Sequence, residues 1–282
     1  MEPDPPRAAR RDEGAAARQA LRSAMYGAND LSSLTLFSGG FINFGYWADP
    51  PGGPHSTPTT AERTASQQEM YRQVARRAHL GPGRRAAEVG CGLGVGAALV
   101  AEEFAPAALV ALDLSPEQLD RARRRVPHAR PGAAAPLRFA RADAARLPLA
   151  DSALDAVYSV EAAQHFEDLP AFAAEAHRVL RPGGRLAVAV FFLTAESARA
   201  RATALLETFG NGVDVVVAVD DFTAVLRGAG FADAAAESVG PRVWRRFDAW
   251  IAQTEYRDVW SRNWLRAYEE GLVDYYIATA TR

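Results

Sequence analysis

The chain has 282 residues, 49% of them hydrophobic, enough for one large α/β domain or two small ones. Its formal net charge of -2 argues against a grip on nucleic acid through phosphate contacts. A single cysteine, Cys91, excludes an intrachain disulfide and a cysteine-rich zinc site, and no apolar run approaches the roughly 18 residues of a membrane helix.

All 32 basic residues are arginines, so arginine number carries little functional meaning. Met1 to Gly14 is rich in Pro, Arg and Glu and lacks an apolar stretch, so no secretion signal is read there. A soluble, cytoplasmic protein is expected, with no nucleic-acid or membrane partner and with self-association left open.

Along the chain, residues 1–13 read as a disordered tail and Ala15 to Tyr26 as a helix. Phe37 to Trp47 is aromatic and glycine-containing, and Pro50 to Pro58 is a linker. Ala61 to Leu80 reads as a helix stopped by Gly81-Pro82-Gly83. A regular rhythm then begins. Strands are expected at Ala86 to Val89, Leu109 to Leu114, Leu137 to Ala140, Ala156 to Val160 and Arg185 to Phe192. Helices alternate with them, one opening at Ser115-Pro116-Glu117-Gln118 with a capping box and another running from Leu169 to Leu180 before a turn at Arg181-Pro182-Gly183-Gly184. Such alternation predicts a parallel sheet covered on both faces. Beyond it come a helix at Asp221 to Arg227, a strand at Ala234 to Val239, a long helical stretch from Pro241 to Leu272 and a final strand from Val273 to Thr279.

Glu88-Val89-Gly90-Cys91-Gly92-Leu93-Gly94 follows a strand and precedes a helix, the context of a nucleotide-binding turn. Its glycines permit a tight turn and let a cofactor lie against the backbone. Asp113 ends the next strand, 19 residues beyond Gly94, where a carboxylate can accept both ribose hydroxyls. Glu88 separates two classes of cofactor. A carboxylate just before the glycines repels a pyrophosphate and attracts a cofactor carrying an ammonium group.

Four segments, AEVGCGLGVG, LVALDLSPEQL, RADAARLPLADSALDAVYS and HRVLRPGGRL, stand in this order. Together they resemble the class I S-adenosylmethionine-dependent methyltransferases over roughly residues 70 to 192. The resemblance implies a Rossmann-like α/β sheet, mostly parallel with its last strand antiparallel, helices on both faces and a helical cap. It implies S-adenosyl-L-methionine as cofactor and S-adenosyl-L-homocysteine as product. It implies that Gly90, Gly92 and Gly94 line the methionine portion, that Asp113 and Leu114 hold the ribose and adenosine side, and that Asp143 and the Ala144 N–H hold the adenine. Gln118 is either an adenosine contact or only part of the helix cap. The expected division is an N-terminal helical lid over 14–80, a cofactor-binding core over 81–240, a cap over 241–272 and a last core strand over 273–282.

Ligands of open α/β sheets sit beyond the carboxyl ends of the strands, so Glu161-Ala162-Ala163-Gln164-His165 after the fourth strand points into the site. His165 is the candidate base or positioning group, because methyl transfer to an O–H or N–H acceptor must also remove a proton. Glu161 is expected near the methionine end of the cofactor. His55, His79, His128 and His177 have weaker claims. No Asn-Pro-Pro-Tyr or Asp-Pro-Pro-Tyr follows the fourth strand, and no metal-ligand set is legible, so no metal is expected.

Tyr256, Trp260, Trp264 and Tyr268 recur every four residues, a stripe on one helix face. The stripe packs its helix onto the sheet or, with Trp244, supplies aromatic surface suited to an apolar acceptor. Gly39 to Trp47 resembles the N-terminal lid of natural-product methyltransferases, which assigns Tyr46 and Trp47 to a lid or to a structural staple. The expected activity is methyl transfer to a small apolar or aromatic natural product, with oxygen the first choice of acceptor atom and nitrogen or carbon open. Two other functions fit the same fold: a cyclase that binds the cofactor without transferring methyl, and a non-catalytic cofactor-binding subunit.

Overall fold

The computed structural model describes residues 17–18, 20–28, 34–49, 53, 56–126 and 137–282. The expected tail over 1–13, His55, His128 and most of the expected linker lie outside the described residues. Seven strands form one sheet: β1 (Arg85–Val89), β2 (Ala108–Asp113), β3 (Leu137–Arg141), β4 (Leu154–Val160), β5 (Leu180–Leu193), β6 (Ala232–Ser238) and β7 (Val273–Thr281). Their order is β3-β2-β1-β4-β5-β7-β6. β7 runs antiparallel to both its neighbours, and every other pairing is parallel. All seven residues of β4 are buried, as a central strand covered on both faces requires. The chain winds one way from β1 and the other way from β4, so a crevice opens beyond their carboxyl ends.

Local chemistry sets the helix starts. Thr59 caps α1 (Thr60–Arg77) reciprocally: its hydroxyl accepts from the Glu62 N–H, and the Glu62 carboxylate accepts from the Thr59 N–H at 2.7 Å. α2 (Val95–Phe104) begins directly after Gly94. Ser115 Oγ accepts from the Gln118 N–H at the head of α3 (Pro116–Arg125), with Pro116 in the first turn. Asp168 does the same for α4 (Leu169–Val179).

Two expectations fail. Arg181 to Gly184 is not a free turn but a bulge built into β5, since Leu154 pairs with Leu180 and Ala156 already pairs with Arg185. The bulge is held from both sides, by Asp155 against Arg181 and by Gly183 and Gly184 bonding the backbone of Arg282. The stretch from 241 to 272 is not one helix. It divides into a 3-10 turn at Gly240–Arg242, α8 (Trp244–Ile251), turns, a second 3-10 turn at Trp260–Arg262, and α9 (Asn263–Glu269). Thr254 makes the break: its hydroxyl donates to the Ile251 carbonyl and accepts from the Tyr256 N–H, competing with the helical bonds. Tyr256 therefore sits in a turn, apart from the helix that carries Trp264 and Tyr268. Between β5 and β6 lie α5 (Arg199–Leu205), α6 (Glu207–Gly210) and α7 (Val219–Gly228).

The N-terminal segment is fastened to α1 by one fully buried arginine. Arg63 donates to the carbonyls of Leu36, Asn43 and Phe44, and its guanidinium lies 5.7 Å from the Trp47 ring and 5.3 Å from the Phe247 ring. Gln67 adds a bond to the Phe41 carbonyl. Burial pulls the Arg63 pKa down to about 9, which leaves it charged at neutral pH. Arg63→Met keeps most of the volume but strips the donors from buried carbonyls. It should cost about 2–3 kcal/mol in urea unfolding, at roughly 1 kcal/mol for each lost bond.

Candidate active site

The glycine turn is tied to the end of β2, where the N–H groups of Gly90 and Cys91 both donate to the Leu112 carbonyl. Gly90 has φ +82°, and a Cβ there would lie 2.2 Å from the Ala162 Cβ. Only glycine lets the turn and the segment after β4 come this close. Gly92, at φ +50°, faces open space instead, with no atom within 4 Å of where a Cβ would sit. Its N–H donates to Asp113 Oδ2 at 2.8 Å, and Asp113 Oδ1 accepts from the Ser115 N–H. Burial raises the Asp113 pKa against the pull of these bonds.

Glu88, at the end of β1, has no solvent exposure. Its Oε2 accepts from the Tyr158 hydroxyl at 3.1 Å, while Oε1 is buried without a partner. Burial lifts its pKa to about 8. The carboxyl, met also by the Tyr71 hydroxyl, keeps one oxygen free at the root of a glycine turn with open space beside it; a cofactor's ammonium group there would favour its ionised form, whereas a pyrophosphate would not fit.

Leu114, Ala142 and Asp143 line an open cleft of about 690 Å³ beyond β2 and β3, with Pro148 and Leu149 on its far side. Leu114 is 40% exposed, an apolar side chain beside an apolar wall, as a purine face requires. Asp143 is exposed, and its Oδ1 accepts from the Ala145 N–H. Gln118 is buried on the first turn of α3. The glycine turn, Asp113 and this cleft thus follow one edge of the sheet.

A second space lies beyond β4, β5 and β7. It holds about 290 Å³, is partly open to solvent and is largely apolar, with walls from Leu36, Phe44, Phe191, Phe247 and Trp264 and with Glu161, Gln164, Thr208, Asp214 and Ser261 as its polar members. Glu161 adopts a left-handed backbone, φ +47°, and its Oε1 accepts from both the Phe44 N–H at 2.5 Å and the Tyr275 hydroxyl at 2.9 Å. Burial lifts its pKa to about 8, and that of Asp214 to about 7.

His165 ends a 3-10 turn, Ala163–His165. Its Nδ1 is 3.2 Å from the Val213 carbonyl and 3.4 Å from Asp214 Oδ1, and its Nε2 is 3.4 Å from the Gln164 side-chain nitrogen. Burial drops its pKa to about 4, so the ring is neutral at physiological pH. Gln164, Val213 and Asp214 line the cavity, and His165 stands behind them.

The predicted cap residues separate. Trp264 lines the cavity. Trp244 is fully buried, lies parallel to Trp264 at 5.5 Å, and donates to Asp274, away from the cavity wall. Trp47 is buried, and its indole donates to the Phe44 carbonyl. Tyr46 bonds the Ser66 carbonyl through its backbone. Neither Tyr46 nor Trp47 lines the cavity, and Phe44 of the same segment does. The side chain of Trp260 lies outside the described residues. His177 packs edge-on against Phe231 at 5.1 Å. Cys91 is buried, and burial pushes its thiol up, away from nucleophilic use. No motif marks Arg63 or Thr208 in the sequence, Phe44 lies in the Gly39 to Trp47 stretch without a role of its own there, and a lone carboxylate inside the apolar run Val213 to Val217 is the signal for Asp214. Among the described residues no cluster of three or more His, Cys, Asp or Glu side chains forms a metal site, and no helix is long and apolar enough to cross a membrane.

The sheet has the strand order of the class I methyltransferase fold, with the glycine turn and the Asp113 carboxyl at its carboxyl edge. Residues 87–188 match the methyltransferase domain family. The chain is 40% identical over 145 residues to a fatty-acid O-methyltransferase of Mycolicibacterium smegmatis, covering 51% of this chain and 50% of the relative. It is 38% identical over 151 residues to a phthiotriol/phenolphthiotriol dimycocerosates methyltransferase of Mycobacterium leprae, covering 53% and 52%. The chain spans about half the length of the curated relatives it matches. Among solved structures, a geranyl diphosphate C-methyltransferase from Streptomyces coelicolor aligns with TM-score 0.75 and 15% identity over 94% of this chain and 98% of the other. The [4+2]-cyclase SpnF aligns with TM-score 0.67 and 25% identity over 94% and 96%.

Glu88 and Glu161 carry pKa values of about 8 against an ordinary 4.5. Each favours the folded chain while protonated, so that stability is complete below about pH 4.5 and is lost as pH rises through about 8. The melting temperature of the cofactor-free protein should fall between pH 6 and pH 8.5. Glu88→Gln, which cannot ionise, should flatten that fall in a thermal-melt series.

Proposed function

We propose that this protein transfers the methyl group of S-adenosylmethionine to a small, largely apolar acceptor, oxygen being the first choice of acceptor atom. One observation carries the reading. Ala162 abuts Gly90 of the cofactor turn, and Glu161, its neighbour, lines the apolar cavity. A wall two residues thick thus joins the cofactor turn to a largely apolar space, which is the proximity a displacement at the cofactor's methyl carbon needs.

The cofactor, when bound, supplies an electrophilic methyl group on a sulfonium. Gly90, Gly92 and Gly94 offer backbone to its amino-acid portion, Glu88 offers the unpaired oxygen to its ammonium, Asp113 accepts from the ribose, and Leu114, Gln118, Asp143 and Ala144 bound the adenine. Phe44, Phe191, Phe247 and Trp264 exclude water around the acceptor. His165, neutral and oriented by the Val213 carbonyl, is the proposed sink for the acceptor's proton. It reaches the cavity only past Asp214 and Gln164, so for a carbon acceptor its role reduces to positioning them. The natural-product setting and the cytoplasmic location stay part of this proposal.

The alignment with a [4+2]-cyclase along nearly the whole chain favours one second reading, in which the cofactor is bound and the cavity folds an unsaturated substrate without losing a methyl group. Methyl-labelled S-adenosylmethionine, incubated with the purified protein and a metabolite extract, decides between them. Label in the organic-soluble fraction with matching S-adenosylhomocysteine is expected. An unlabelled product of unchanged mass, with no S-adenosylhomocysteine, establishes the cyclase instead. Asp113→Ala should weaken cofactor binding about 10- to 100-fold in calorimetry, the loss of hydrogen bonds to a carboxylate. His165→Ala should lower kcat by about 10² or more with cofactor affinity unchanged, and an unchanged kcat would remove it from proton transfer.

A further inference from the structure

One stretch of the cavity wall is polar and in part unpaired. Gln164 Oε1 is buried with no hydrogen-bond partner, and the Thr208 hydroxyl is buried beside the Asp214 carboxyl; both residues are 8% exposed, and both line the cavity. Asp214 lines it as well, and its N–H donates to the Thr208 carbonyl, so the two side chains arise at one place. An unpaired buried group costs about 1–3 kcal/mol, and a ligand group that pairs with it recovers that cost.

The rest of the space limits that ligand. Its volume of about 290 Å³ equals the liquid volume of roughly ten waters and falls at the low end of small-molecule sites. Among the described residues no arginine or histidine lines it. Nearby, Arg63 points its donors at three backbone carbonyls, and Arg22 bonds the Val213 carbonyl and Glu167 through Nε and Nη1, its Nη2 being buried without a partner behind Asp214. The ionisable groups that do line the wall are Glu161 and Asp214, whose raised pKa values mean that the wall already resists negative charge.

Resting on the methyltransferase reading, we propose that the acceptor is an uncharged hydroxy compound of one or two rings, gripped at its hydroxyl by Asp214, Thr208 and Gln164, and that carboxylate, phosphate and sulfonate compounds of equal size are turned away. A hydroxyl both donates and accepts. Asp214 and Gln164 Oε1 take its hydrogen, and Thr208 gives one back. The ring system fills the space between Phe44, Phe191, Phe247 and Trp264. An anion would enter a largely apolar space whose wall, among the described residues, carries two carboxyl groups and no cation, with Arg22 and Arg63 set behind those carboxyls, at a cost of several kcal/mol.

The test is isothermal titration calorimetry of the S-adenosylhomocysteine-loaded protein at pH 8 with 2-naphthol, naphthalene and naphthalene-2-sulfonate. The first is expected to bind about fivefold or more tighter than naphthalene, the worth of one hydrogen bond of about 1 kcal/mol, and about 100-fold tighter than the sulfonate. Asp214→Asn and Thr208→Val should each weaken 2-naphthol about fivefold while S-adenosylhomocysteine affinity stays the same. Equal binding of 2-naphthol and the sulfonate, or of 2-naphthol and naphthalene, would overturn the proposal. So would binding of none of the three to a protein that still takes up S-adenosylhomocysteine, a result that leaves the methyltransferase reading standing. Failure to load S-adenosylhomocysteine would instead bring down that reading and this one with it.

Discussion

The site depends on one carboxyl oxygen. Glu161 Oε1 accepts from the Phe44 backbone and from the Tyr275 hydroxyl, and so joins the N-terminal segment, the end of β4 and β7 at a single point. The left-handed backbone at Glu161 turns the chain so that this carboxyl faces the cavity while Ala162 meets the glycine turn. A non-glycine residue at positive φ costs free energy, and the surrounding contacts have to over-determine it. Here the Glu161 N–H donates to the Ala189 carbonyl, and the side chain holds two donors. The cofactor turn, the aromatic cavity and the N-terminal segment are therefore coupled through one residue.

Around that point the protein tolerates an unusual load of buried charge. Glu88 and Asp214 are carboxyl groups held away from water, Glu161 is a partly buried one, and Arg63 is a buried guanidinium bonded to backbone carbonyls. Ionised groups in such surroundings are expensive unless paired. Under the proposed function a cationic cofactor would compensate two of the carboxyls in part, at Glu88 and Glu161, which lie on the two sides of the Gly90–Ala162 contact. Asp214 lies farther along the wall, beside His165, where no cofactor charge is expected to reach it.

Much of the fold was legible because the β-strand and α-helix periods alternate cleanly from Arg85 to Leu193, and because the strands are short buried runs bounded by Gly, Pro and capping residues. The glycine turn, Asp113 and the segment after β4 were legible for the same reason, since the topology fixes where strand ends point. What local pattern hid were effects of long-range pairing. The four-residue recurrence of Tyr256, Trp260, Trp264 and Tyr268 suggests one helix, but a single threonine bonding to its own backbone breaks it. Arg181 to Gly184 has the composition of a turn and is absorbed into β5 by its neighbours. Phe44 was overlooked in favour of Tyr46 and Trp47, because only the tertiary packing turns Phe44 inward. Asp214 belongs to a segment with no motif, and it meets His165 across 49 positions of sequence.

The parallel indoles of Trp244 and Trp264 have a consequence of their own. At 5.5 Å and an interplanar angle of 3°, they form a coupled pair of chromophores in a rigid aromatic cluster. Only one of the two faces the cavity. A ring entering that space touches Trp264 and disturbs the electronic coupling of the pair, whereas a ligand confined to the glycine turn leaves it alone. The near-ultraviolet circular dichroism of the unlabelled protein is thus an intrinsic optical record of which of its two compartments is filled.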